Sequence, residues 1–199
     1  MKAKISKERQ VNTYAEMWHA SNVMLGKAKE NPEGSFYQLM ASLIFTAFTL
    51  EAYLNHIGQS TFKCWDDLEQ LSQKKKLGLI AEKLKIERDD SKRPFQTIDK
   101  LFKFRNDVAH GKSARLKFEN QIKVVDLDRT LNRQERLETP WQKYCCPRNA
   151  ERAREDVKII IQELHKATGL TDHILFSFGQ EVGMTTLSLE EPPYQSNTT

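Results

Sequence analysis

The segment Phe104-Arg105-Asn106-Asp107-Val108-Ala109-His110-Gly111-Lys112 carries the residue types best suited to chemistry in this chain. An arginine neutralises a phosphate at any pH, and a histidine moves a proton near neutrality. Together they form the smallest set able to cut RNA without a metal. A neutral imidazole takes the proton of a ribose 2′-hydroxyl, an imidazolium protonates the leaving 5′-oxygen, and a guanidinium stabilises charge on the phosphoryl oxygens. DNA lacks that internal nucleophile. In this scheme Asn106 holds the imidazole or a phosphate oxygen, and Lys112 adds a point charge nearby.

Spacing constrains how such a site is assembled. Arg105 and His110 project roughly 140° apart on an ideal helix, which makes a poor site within one chain. Two copies across a two-fold axis make a better one, because the arginine of one then flanks the histidine of the other. The spacing therefore points to a homodimer. Gly111 is expected to end the helix directly after His110, where the partial negative charge of a helix C-terminus favours a cation.

The surrounding charge is uneven. Residues 74–117 hold 14 Lys/Arg against 6 Asp/Glu, whereas the remainder holds 17 against 21, within a net charge of +4. The excess surrounds Arg105 and His110, as a phosphate-bearing ligand requires. The run Lys74-Lys75-Lys76 fits a solvated helix face equally well.

The elements that must carry this motif read as helices. Val11, Tyr14, Ala15, Trp18, Asn22 and Leu25 recur at three- and four-residue spacing, which predicts a first helix over about 7–29. The break Asn31-Pro32-Glu33-Gly34-Ser35 follows, with Ser35 placed to cap the next helix. That helix runs from Phe36 to about Ile57, apolar around most of its circumference, with Gly58 as a left-handed stop. Shorter helices are expected near 65–73 and 77–84. Pro94 then opens the motif helix, whose apolar side is Phe95, Ile98, Leu101, Phe102, Phe104 and Val108. Residues 115–127 fit a short strand, a hairpin arm or an irregular excursion. A last helix covers about 149–168. The pattern reads as all-α over 7–179, with the apolar helix at the centre of a bundle and a loop-rich or short β insert at about 113–148. A disordered tail is expected over 180–199.

With 39% apolar and 29% charged residues, 199 residues suffice for one core. The most apolar run, 39–50, is too short to cross a bilayer and is followed by Glu51, so no membrane partner is expected. Basic residues 1–10 lack the apolar stretch of a secretory leader. Cys64, Cys145 and Cys146 lack zinc-like partners and fit a reducing cytoplasm. Phosphate-binding loops, zinc clusters and dinucleotide fingerprints do not occur, so neither cofactor nor metal is expected.

Arg105-Asn106-x-x-x-His110 resembles the R-x4-6-H signature of the HEPN superfamily, in which the residue after arginine is typically Asn, Asp or His. The apolar helix ending Leu50-Glu51-Ala52-Tyr53-Leu54-Asn55-His56-Ile57-Gly58 is similar to the helix that pairs with the motif helix there, with Glu51 where an acidic residue often sits. The likeness covers about 14–112, with the helix from about Asn149 closing the bundle; residues 115–148 match nothing in it. It implies an up-and-down bundle of four to five helices that dimerises, and a metal-independent endoribonuclease leaving 2′,3′-cyclic phosphate ends. Such hydrolases act in toxin–antitoxin pairs, antiviral defence or RNA processing. On that reading Arg105, His110 and Asn106 are the catalytic set, supported by Glu51 and Lys112, and single-stranded RNA is the substrate. An antitoxin or regulatory protein is a further partner. The alternative is a non-catalytic nucleotide- or RNA-binding or protein-interaction module on the same bundle.

Several residues read differently by type alone. Glu51 either pairs with Arg105 and orients it or compensates charge within the bundle. Asn55 and His56 read as caps or surface groups, and Arg148, Arg152 and Arg154 as solvated. His19, His165 and His173 lack ligand-spaced partners, and Trp18, Trp65 and Trp141 suit packing better than base stacking.

Overall fold

The computed structural model describes residues 2–118, 137–169, 175–179 and 181–188. Among them the fold is mostly helical with one two-stranded sheet. Strand β1 (Lys2–Arg9) precedes α1 (Thr13–Glu30), α2 (Phe36–Thr61), α3 (Trp65–Leu68), α4 (Gln73–Lys83) and α5 (Phe95–Ala109). The short α6 (Pro140–Tyr144), α7 (Pro147–Ala167) and β2 (Glu181–Ser188) complete the order. No helix among the described residues is long and apolar enough to cross a membrane.

Helix α2 occupies the centre because its sequence offers apolar side chains in nearly every direction. Leu43, Ala47, Leu50, Tyr53 and Leu54 are fully buried, and α2 packs against α1, α4, α5 and α7. Its contact with α1 is close because small residues face each other. Ser21 Oγ lies 2.6 Å from Thr46 Oγ1 and donates to the Ser42 carbonyl at 3.0 Å, while Ser42 Oγ donates to the Ser21 carbonyl at 3.0 Å. These hydroxyls are buried, and each finds a partner, so the seam avoids the cost of unsatisfied polar groups. Helix α7 contributes the stripe Ala150, Ala153, Val157, Ile160, Ile161 and Leu164 and packs against α1, α2 and α5.

Several boundaries move from their sequence expectation. Gly58 does not stop α2, which continues to Thr61. Its role is spatial: a Cβ there would fall on the six-membered ring of the buried Trp65 indole. Gly58→Ala should therefore destabilise the fold by about 1–3 kcal/mol, as overpacking does, read as a lower urea midpoint at unchanged slope. Ser35 stands at the N-cap position of α2 without a side-chain capping bond. α4 begins at Gln73 and takes in the lysine run, whereas α3 is a single turn.

The chain termini depart most. Residues 7–9 belong to β1, so α1 starts at Thr13. Disorder from residue 180 onward does not hold for 181–188, which form β2 antiparallel to β1, with Ile5 opposite Thr185 and Glu8 opposite Val182. Residues 189–199 lie outside the described residues. The ribbon is tied to the helices at its base, where Asn12 donates from its backbone N–H to the Phe178 carbonyl (3.4 Å) and from Nδ2 to the Ser177 carbonyl (2.9 Å). Phe176, with φ +64°, stacks on Trp18 at 4.8 Å and anchors the same segment. Of the expected insert, 113–118 have no regular structure, 119–136 lie outside the described residues, and Pro140–Tyr144 form α6.

Candidate functional site

The motif helix is fixed at both ends by charge. At its N-terminal side Arg93 grips α7: Nε donates to Asp156 Oδ2 at 3.0 Å, and Nη2 donates to Asp156 Oδ1 at 2.8 Å and Glu155 Oε2 at 2.7 Å. Asp156 is 1% exposed, so this pair ties the segment leading into α5 to the core side of α7. Along its length Phe95, Ile98, Leu101, Phe102 and Phe104 face inward at helical spacing. That registration turns Arg105 toward α2.

There Arg105 Nη2 donates to Glu51 Oε2 at 2.6 Å, and Nη1 donates to Asn106 Oδ1 at 2.9 Å. The two charged side chains are only 17% and 23% exposed. The guanidinium carbon lies 5.4 Å from the centre of the Phe48 ring, one turn before Glu51 on α2, which adds a cation–π contact. Gln73 of α4 donates Nε2 to the other Glu51 oxygen, Oε1, at 2.9 Å. Glu51 thus orients Arg105 through a short charge-assisted bond and is itself held by α4. The Arg105 Nε is buried without a hydrogen-bond partner among the described residues.

A turn further along α2, Asn55 Oδ1 accepts from Lys76 Nζ at 2.8 Å, and Lys76 is buried. Asn55 is therefore neither a cap nor a surface group, and Lys76 is not part of a solvated face. Gln73 is the member of this polar seam that residue type does not single out, while Lys76 and Asn55 read by type in other roles. The recoverable signal was Glu51 and Asn55 four apart on an otherwise apolar helix, which places two polar groups on one face.

His110 sits apart from this seam. It caps α5, its backbone N–H donating to the Asn106 carbonyl at 2.9 Å, and its side chain is exposed. Gly111 is needed directly after it, since a Cβ there would come within 2.6 Å of the Asp107 carbonyl oxygen. Asn106 uses its carbonyl on Arg105, not on the imidazole. Lys112 lies in the exposed stretch without regular structure that follows. Within one chain Arg105, Asn106 and Glu51 come together, while His110 and Lys112 form the open end of the helix.

The basic excess is partly neutralised. Lys74 pairs with Asp99 at 2.8 Å and Asp90 at 3.5 Å, and Lys103 pairs with Asp107 at 3.0 Å. Lys100, Lys112, Arg115 and Lys117 have no ion pair among the described residues. Arg154 is buried, contrary to its reading as solvated. It lies 3.8 Å over the Trp18 ring and donates to the Trp18 carbonyl (3.1 Å) and Asn22 Oδ1 (3.2 Å), and burial lowers its pKa to about 10.

A second group of titratable side chains lies on another face of the same C-terminal stretch of α2. Tyr53 Oη is 3.0 Å from His165 Nδ1, and the His56 ring lies 5.0 Å from Tyr14 and 6.1 Å from Tyr53. Partial burial, then the proximity of His165, holds His56 below the ordinary histidine value of 6.5. The unfolded chain therefore binds the proton more readily than the folded one. Its contribution to stability is full above pH 6.5 and is lost as pH falls through the folded value. Urea midpoints measured from pH 7.5 down to 5 should fall for the wild type and fall less for His56→Gln.

No known protein family, curated protein or solved structure matches this chain.

Proposed function

We propose that this chain is a metal-independent endoribonuclease of the HEPN type, acting on single-stranded RNA in the cytoplasm as a symmetric dimer. The observation that carries the reading is the contrast along α5. Arg105 is held in one position by Glu51, while His110, five residues on, stands exposed at the helix end. A fixed cation and an accessible proton carrier are what phosphodiester cleavage by an internal nucleophile requires. The 2′-oxygen attacks phosphorus as its proton passes to one imidazole. The P–O5′ bond then breaks as the leaving oxygen takes a proton, and a 2′,3′-cyclic phosphate and a 5′-hydroxyl remain. Arg105 of one copy would face His110 of the other, since the two project apart on a single helix. A toxin, phage-defence or RNA-processing role, with an antitoxin or regulatory partner, fits this activity.

One feature favours a non-catalytic RNA- or nucleotide-binding module instead: both terminal nitrogens of Arg105 already bond within the chain. Incubating RNA with the wild type and with His110→Ala, with and without EDTA, separates the two. Cleavage that survives EDTA and yields cyclic-phosphate ends supports the nuclease. Salt-sensitive binding without cut ends supports the module.

A further inference from the structure

Between α5 and α6 lies a cavity of about 180 Å³. Its inner wall is Phe104 and Tyr144, whose ring centres are 5.3 Å apart, and Trp141 forms a third aromatic side. Lys100, Lys103 and Asp107 form the mouth. The volume is below the ~300 Å³ at which sites for drug-sized ligands begin, and suits one ring system.

Short as it is, α6 is held firmly. Thr139 and Gln142 form a reciprocal capping box, with Thr139 N–H donating to Gln142 Oε1 at 2.8 Å. Asn149 Nδ2 donates to the Tyr144 carbonyl at 3.0 Å and pins the other end to α7. The cavity is thus a feature of fixed elements.

Its place on α5 matters most. Positions 100, 103, 104 and 107 form one face of the helix, and position 110 continues that face about 4.5 Å further along the axis. Arg105 lies on a different side. A strand that enters the cavity therefore runs on toward His110 of the same chain.

We propose that this cavity is a nucleobase subsite: an unpaired base stacks on Trp141 against the Phe104–Tyr144 wall, while Lys100 and Lys103 take the flanking phosphates. The inference rests on the RNA reading above and specifies where the strand lies. An aromatic wall accepts the flat face of any base, and lysines beside it supply the backbone charge, a combination typical of single-strand binding. A duplex keeps its bases paired and cannot enter. Lys103 would exchange its exposed pair with Asp107 for a phosphate, whereas Lys100 has no ion pair among the described residues.

The test uses a fluorescently labelled 2′-O-methyl oligoribonucleotide, which binds but has no free 2′-hydroxyl to react. Trp141→Leu should weaken binding at least about fivefold, the lower end of a base–aromatic stack, while Trp141→Phe should bind nearly as the wild type does. An abasic strand of equal length should not distinguish wild type from Trp141→Leu. Lys100→Gln, at an exposed position, should reduce the salt dependence by about one phosphate, and it reads the same site should Trp141→Leu fail to fold. Equal affinity of wild type and folded Trp141→Leu overturns the subsite, as does a wild type that binds no oligonucleotide. The outcomes separate from those of the nuclease reading. RNA cleavage with an unchanged KM in Trp141→Leu overturns the subsite alone. Trp141-dependent binding without any cleavage upholds the subsite and removes the nuclease.

Discussion

Replacing His110 by alanine should lower RNA cleavage by about 10²–10⁴-fold, the usual contribution of a positioned acid or base, while helical content and thermal midpoint stay at wild-type values. The fold is expected to tolerate the change because the imidazole makes no hydrogen bond or ion pair among the described residues. The group that closes the helix is the backbone N–H to the Asn106 carbonyl, which alanine retains. Loss of cleavage together with loss of structure would point to a capping role and count against the mechanism. Cleavage by the variant at wild-type rate would remove it altogether. If two copies share each site, mixing His110→Ala with Arg105→Ala should restore part of the activity, since one of the two sites in a mixed dimer then keeps both groups.

Glu51→Ala should give the largest loss of stability among changes near the motif, about 2–3 kcal/mol. That figure lies between the small value of an exposed ion pair and the 3–5 kcal/mol lost when a fully buried pair is broken. The reason is what remains behind. The carboxylate accepts from Arg105 and from Gln73, and its loss leaves a mostly buried guanidinium whose Nε has no partner among the described residues. Glu51→Gln keeps an oxygen to accept from Arg105 and should lose less. Urea unfolding of the two variants measures the difference. Their cleavage rates report separately on whether Glu51 positions Arg105, since a freed guanidinium should lower kcat even where the fold holds. An alanine variant as stable as the wild type would show that this pair contributes no more than a surface one.

The contrast between the two ends of α5 shows how far local sequence reaches. Phe95, Ile98, Leu101, Phe102 and Phe104 repeat at helical spacing, and the helix forms over Phe95–Ala109 with His110 as its cap. The apolar run from Leu39 likewise becomes the centre of the core. Both follow from periodicity, which neighbours in sequence impose on one another. The partner of Arg105 lies 54 positions away, and residue types alone left Glu51 open between pairing and charge compensation. Arg154 shows the same limit: its acidic neighbours in sequence suggested a solvated face, yet it stacks on Trp18 from another helix. Gly58 reads as a stop only until Trp65 folds against it.

Local sequence is enough for the long helices, the central helix and the placement of Arg105 and His110 at the C-terminal end of α5. Hydrophobic spacing and a terminating glycine are local signals. Packing across the chain sets which carboxylate holds Arg105, buries Lys76 and Arg154, and pairs residues 2–9 with 181–188. Such pairings join segments far apart along the chain, where a single polar residue or a short strand carries no period of its own. They are fixed by which surfaces meet when the core closes.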